Sequence, residues 1–256
     1  MRKKSFELCG FTVVMGIFGA FLRWLQATSV FEPETGLARP NAFMSYALAL
    51  IILATAAALI FWVRSLKNLS HPDKYPEVMA REASAYPLVA IILGALIALG
   101  GVMTTIGSLQ SRSIFDLISG LLAIVCAISL TMLIRNAQKN GSGAKFFSLA
   151  IVLFLCFWLV ATYKACSSDP VIWHFAPRLL AVSASLLAFF YVAGFAFERP
   201  RFLSTLYFCQ LSSFLCIITL ADPLPLAEKI IFLSLALSTQ LISLALINNI
   251  TPLSKK

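Results

Sequence analysis

Apolar stretches recur along this chain at 8–27, 42–63, 86–109, 114–134, 146–163, 179–197, 202–220 and 230–248. A helix of about 20 such residues, rising 1.5 Å per residue, is as long as the roughly 30 Å hydrocarbon core of a bilayer. Only helices or closed barrels satisfy every backbone polar group in that medium, and runs of this length select helices. With 60% hydrophobic and 12% charged residues in 256, the polar connectors leave no room for a soluble domain. The sequence therefore predicts an all-α, polytopic integral membrane bundle of eight transmembrane helices, forming a single integral membrane domain over 1–256.

Lys and Arg decide how such a chain is threaded. If the N-terminus is cytoplasmic, Arg2, Lys3, Lys4, Arg64, Lys67, Lys74, Arg81, Arg135, Lys139, Lys145, Arg199, Arg201, Lys255 and Lys256 fall inside, 14 of the 20 basic residues. The expected location is the cell membrane, multi-pass, with both termini cytoplasmic. This placement also accounts for the net charge of +9. The basic residues sit between spans and form no pattern with interleaved aromatics, so nucleic acid is not an expected partner.

An even number of spans permits two four-helix halves, 1–140 and 141–256. Trp24-Leu25-Gln26-Ala27-Thr28 and Trp158-Leu159-Val160-Ala161-Thr162 are a faint echo of that symmetry. The first span follows basic residues with no cleavage site after it, and is expected to be a retained anchor. Gly94, Ala98, Gly100, Gly101 and Gly107 predict that the third span is a tightly packed central helix. Only residues 110–113 separate spans three and four, which must form a hairpin, with Arg112 and Asp116 spaced for an exposed ion pair at its tip. The connector from Arg64 to Ala85 reads as an ordered surface loop holding an amphipathic turn.

Polar groups inside hydrocarbon are costly and are the first place to look for function. Gln210 and Gln240 lie 15 residues either side of Pro225, the middle of the connecting turn, and so share a depth near mid-membrane. They can clamp one helix to the next or line a polar pathway. No carboxylate or histidine lies mid-span, and His71 and His174 fall on opposite sides, so neither a proton relay nor a metal site is expected. No HExxH, GxSxG or phosphate-binding glycine loop occurs, and no cofactor is expected.

The outer connectors hold the remaining candidates: Arg23, Glu32, Glu34, Arg112 and Asp116. Arg23 ends the first span beside Trp24. It can snorkel to the headgroups, or pair with Glu32, Glu34 or Asp116 to shape an outer cavity or hold an anionic headgroup. No third ligand supports metal binding by Glu32 and Glu34.

FLRWLQ at the end of the first span, followed by FEPETGL, resembles small uncharacterised multi-span membrane proteins of low-GC Gram-positive bacteria. The resemblance implies a membrane bundle and brings no activity with it. The expected function is a non-enzymatic transporter-like bundle or a membrane subunit, in contact with membrane lipid and with a membrane-protein partner or further copies of itself. The alternative is a membrane enzyme acting on a lipid or envelope precursor at the outer face.

Overall fold

The computed structural model describes residues 2–30, 43–67, 74–79, 85–137 and 143–250. Among them the chain forms α1 (Arg2–Ser29), α2 (Phe43–Ser65), α3 (Tyr75–Met79), α4 (Ala85–Ser111), α5 (Ile114–Ala137), α6 (Ala144–Cys166), α7 (Ile172–Ala196), α8 (Phe202–Thr219) and α9 (Leu226–Asn248). All but α3 are long and apolar enough to cross a membrane. No strand occurs among the described residues. The protein is an all-helical integral membrane bundle.

Helices α7 and α9 begin earlier than their apolar runs, for local reasons. α7 starts at Ile172, not near 179, because Asp169 prepares its entry: Oδ1 accepts the Val171 N–H at 2.9 Å and Oδ2 lies 2.8 Å from His174 Nδ1. A carboxylate just ahead of a helix satisfies free amides and complements the positive end of the dipole. α9 starts at Leu226 because extended Pro225 (ψ 145°) ends the turn and Glu228 sits in the first turn. Both early starts bring charged residues, Arg178 and Glu228, onto helices.

α4, α5, α6, α7, α8 and α9 pack each against the next, and α9 returns to α4 to close a six-helix ring. α1 and α2 lie outside the ring, with α1 against α8 and α2 against α1 and α8. Burial follows this arrangement. Two-thirds of the apolar window is buried in α8 and α9 (67% each), against 22% in α2. The outward faces carry Leu50, Leu53, Phe61, Leu109 and Phe146, each about 70% exposed (68–73%), as lipid-facing positions must.

The glycine-rich helix α4 is tightly packed but not central; a third of its window is buried. Its glycines make two backbone-close seams. A Cβ on Gly101 would come within 2.8 Å of the Gly120 carbonyl oxygen in α5, and one on Gly100 within 2.8 Å of the Ala227 carbonyl oxygen in α9. Between these seams Leu88, Ile106 and Leu109 remain exposed. Small residues set how closely helices approach, not which helix is enclosed.

Contacts between connectors pin the two ends. At the face where α1 begins, Asn249 Nδ2 donates to the Glu77 and Val78 carbonyls (3.0 and 2.8 Å), and Tyr75 Oη donates to the Leu133 carbonyl at 2.8 Å. At the far face the end of α1 meets the start of α7 and the α8–α9 turn. That far face holds the chemistry.

Candidate functional site

Arg23 is 2% exposed, so it does not snorkel. Its Nε donates to Asp222 Oδ1 at 2.5 Å, Nη1 to Gln26 Oε1 at 2.6 Å and to the Trp173 carbonyl at 2.7 Å, and Nη2 to the His174 carbonyl at 2.7 Å. Gln26 Nε2 in turn donates to Ser45 Oγ at 2.7 Å. One guanidinium thus ties α1 to α2, α7 and the α8–α9 turn. The Trp173 carbonyl is free to accept because Pro177, four residues on within α7, has no N–H to give it. Burial pushes the Asp222 carboxyl upward and the Arg23 guanidinium opposes that shift.

The geometry corrects two expectations. Arg23 pairs with Asp222, a residue in a turn 199 positions away, and not with Asp116. Glu32 and Glu34 lie outside the described residues. Arg112 and Asp116 form no ion pair, because Arg112 occupies the left-handed turn (φ 54°) before the helix begins. Asp116 is positioned instead by the start of α5, where its N–H donates to Ser113 Oγ at 3.3 Å in the manner of a helix cap.

The second buried charge pair of this face is Arg178 with Glu228, which join α7 to α9. Their side chains are 16% and 19% exposed, and Arg178 Nη2 approaches Glu228 Oε2 to 2.5 Å. The approach is poorly aligned: neither Arg178 Nε nor Glu228 Oε2 makes a hydrogen bond. Both residues line a cavity of about 260 Å³ at the far end of the ring, together with Asp116 and Thr104. Two more groups in its lining, Ser119 and Thr162, are 7% and 2% exposed, and their hydroxyls have no hydrogen-bond partner. Phe154, Trp158 and Ile231 line it as well and are buried. Phe154 stacks on Trp158 at 5.6 Å between ring centroids, and Trp158 packs on Phe232 at 4.8 Å, so the ring interior beyond the cavity is filled by aromatics.

A larger recess of about 740 Å³ opens at the other face, between Tyr75, Ala144 and Phe195. Its ion pair, Lys145 with Glu198 at 3.8 Å, has side chains 61% and 88% exposed. Exposed pairs contribute little and organise little. The smaller cavity is the better candidate because two of its polar side chains, Ser119 and Thr162, are buried without hydrogen-bond partners.

The mid-membrane glutamines are engaged in packing, whereas the buried Thr55 hydroxyl of α2 has no hydrogen-bond partner. Gln210 and Gln240 exchange amide hydrogen bonds at 3.4 and 3.3 Å, and Gln240 Nε2 also donates to Ser213 Oγ at 2.9 Å. Gln210 reaches Cys9 Sγ of α1 at 3.5 Å. Ser185 and Ser212 join α7 to α8 at 2.8 Å. No group of three or more metal-ligating side chains occurs among the described residues.

Asp222, Arg178 and Glu228 are not among the candidates the sequence singles out, and their pairing emerges only in the fold. The usable signals were Asp-Pro before α7 and Pro-Leu-Ala-Glu at the start of α9, both helix-start patterns that carry the charges inward. Comparison of the chain with protein-family models, with curated proteins and with solved structures finds no match.

Proposed function

We propose that this integral membrane protein is a non-enzymatic, transporter-like bundle that admits a small polar solute into the far-face cavity. One observation carries the reading: buried polar atoms without hydrogen-bond partners, from α5, α6 and α7, line one cavity at the mouth of a helix ring, beside the Arg178–Glu228 ion pair. Burying a polar atom without a hydrogen bond costs about 1–3 kcal/mol, and sites that retain several such atoms have a use for them. The buried Phe154 and Trp158 give the cavity an apolar wall beside its polar groups. The enzyme reading draws less support, since it depends on the Arg23 guanidinium, four of whose five N–H donors are already engaged within the protein.

The distribution of basic residues supports a far face turned outward across the cell membrane, with the termini cytoplasmic. In intact cells carrying Cys166→Ser, a cysteine introduced by Ser70→Cys is expected to resist an impermeant thiol reagent. Its labelling would reverse the orientation.

The binding reading is tested by exposing purified protein to a mixed pool of water-soluble metabolites and analysing what is retained after washing by mass spectrometry. The native chain is expected to retain a small solute, and Ala161→Trp, which fills the cavity, is expected to lose it while keeping a similar Tm. Equal retention by both, or none by the native chain, overturns the reading.

A further inference from the structure

We propose that the solute of the far-face cavity is uncharged and hydroxylic, a small polyol of the glycerol type. This inference rests on the binding role given above. It adds the chemical class, which follows from the charge balance of the lining and from the hydrogen bonds left over in it.

Three charged side chains line the cavity: Asp116, Arg178 and Glu228. Arg178 and Glu228 form one ion pair, with Nη2 and Oε2 2.5 Å apart, and so cancel each other. Asp116 is exposed, and water screens its charge. An entering ion would leave water without finding a buried charge free to balance it, which is costly. An anion would also stand against Glu228, and a cation against Arg178. The charge balance therefore selects a neutral solute.

What the lining does leave over is hydrogen bonding. Elsewhere in the bundle serine and threonine hydroxyls bond back to the carbonyl one turn earlier, as at Thr12, Thr104, Thr131 and Ser185. Ser119 of α5 and Thr162 of α6 do not, although they are only 7% and 2% exposed, and both line this one cavity. Thr55 departs from the pattern too, outside this cavity. Beside the two hydroxyls, the buried Arg178 Nε–H donates to nothing. A hydroxyl both donates and accepts, whereas Nε–H only donates. A solute that meets all three must accept from the guanidinium and can exchange bonds of either sense with the hydroxyls. An alcohol does this at every oxygen, and alcohols on adjacent carbons present several such oxygens to separate helices.

Size and shape agree with this class. At about 260 Å³ the cavity falls below the roughly 300–1,000 Å³ of sites for drug-sized ligands. The buried Phe154 and Trp158 give the carbon skeleton an apolar wall while its oxygens turn to the polar groups.

The experiment uses the full chain in glycerol-free detergent, with glycerol, erythritol and xylitol as neutral probes. Glycerate and serinol are their charged counterparts, carrying a carboxylate or an ammonium in place of one alcohol group of glycerol. Affinity is read by calorimetry and by the shift in Tm. At least one polyol is expected to bind about tenfold or more tightly than both ions, since neither ion finds a counter-charge. Ser119→Ala and Thr162→Val are each expected to weaken that polyol about fivefold with Tm unchanged or raised, because the hydroxyl removed bonds nothing within the protein. Glu228→Gln, which leaves Arg178 without its counter-charge, is expected to lose the polyol and bind glycerate.

Tighter binding of glycerate overturns the polyol in favour of an anion site, and tighter binding of serinol overturns it in favour of a cation site; both leave the cavity reading standing. A lower Tm with unchanged polyol affinity in Ser119→Ala and Thr162→Val gives those hydroxyls a structural role and overturns the assignment. If no probe binds, the polyol class falls. The metabolite-pool comparison with Ala161→Trp then shows separately whether the cavity reading falls with it.

Discussion

Two arginine–carboxylate pairs lie at the same end of this bundle, and they behave as opposites. Arg23 with Asp222 is sealed from solvent: the guanidinium makes four hydrogen bonds, two of them to main-chain carbonyls, and both side chains are 3% exposed, with Asp222 Oδ2 the one atom of the pair buried without a hydrogen bond. Arg178 with Glu228 is six times more exposed or thereabouts (16% and 19%), misaligned, and bordered by a cavity. A buried charge with four of its five donors met within the protein holds helices together. One whose donors are left over is available to something else. The difference arises from the neighbours: Pro177 supplies Arg23 with a spare carbonyl, whereas no acceptor meets Arg178 Nε.

The largest test of that contrast is to remove one member of the sealed pair. Arg23→Ala leaves Asp222 buried without its cation and is expected to lower stability by about 3–5 kcal/mol, read as a fall in Tm in detergent. Replacing both members, as Arg23→Met with Asp222→Leu, should recover much of the loss, because two unpaired charges are removed together. If the double variant is as unstable as Arg23→Ala alone, the pair is not the source of the effect.

A mid-sized effect is expected at the amide pair in the membrane centre. Gln210→Leu and Gln240→Leu should each cost about 0.6–1.7 kcal/mol, and the double variant should cost less than their sum. Additive losses would mean that each glutamine acts through its other partners, Cys9 and Ser213.

The open pair should be cheaper to break than the sealed one. Glu228→Gln keeps the shape and is expected to cost no more than about 1 kcal/mol of stability, while abolishing solute binding. A cost as large as that of Arg23→Ala would erase the contrast between the pairs.

The smallest effect concerns Asp169, whose carboxyl is held below the usual range by the Val171 N–H and by His174. A carboxyl with a depressed folded value stabilises the protein above its unfolded pKa of about 3.9, and that contribution disappears as pH falls through the folded value. Asp169→Asn should therefore flatten the acid side of the Tm-against-pH curve below about pH 4 and leave neutral pH little changed. An unchanged acid limb would detach Asp169 from the entry of α7.

The spans were legible because a bilayer imposes length and polarity on every helix that crosses it, whatever its neighbours. Equal spacing about Pro225 likewise gives Gln210 and Gln240 a common depth, a property of chain length alone. Partner choice was not legible. Arg23 stands near Glu32, Glu34 and Trp24 in sequence, yet its partner is Asp222, brought to it by the packing of α1 on α8. The early start of α7 was hidden because its first turns carry His174, Pro177 and Arg178, which hydropathy reads as loop, and the capping role of Asp169 outweighs that composition. The cavity was hidden for the same reason, since its polar lining comes from α5, α6, α7 and α9 and no single stretch contains it.

The distance along the chain between Arg23 and Asp222 also bears on how the protein is made. During synthesis at about 5–20 residues per second, the 199 residues that separate them take roughly 10–40 s to follow. Throughout that interval α1 and α2 have been delivered to the bilayer while α8, the helix both pack against, does not yet exist. Arg23 lies close to the far end of α1, where its long side chain can reach the water layer until its carboxylate arrives. The later-made turn between α8 and α9 therefore meets α1 and converts a surface-seeking arginine into a buried one.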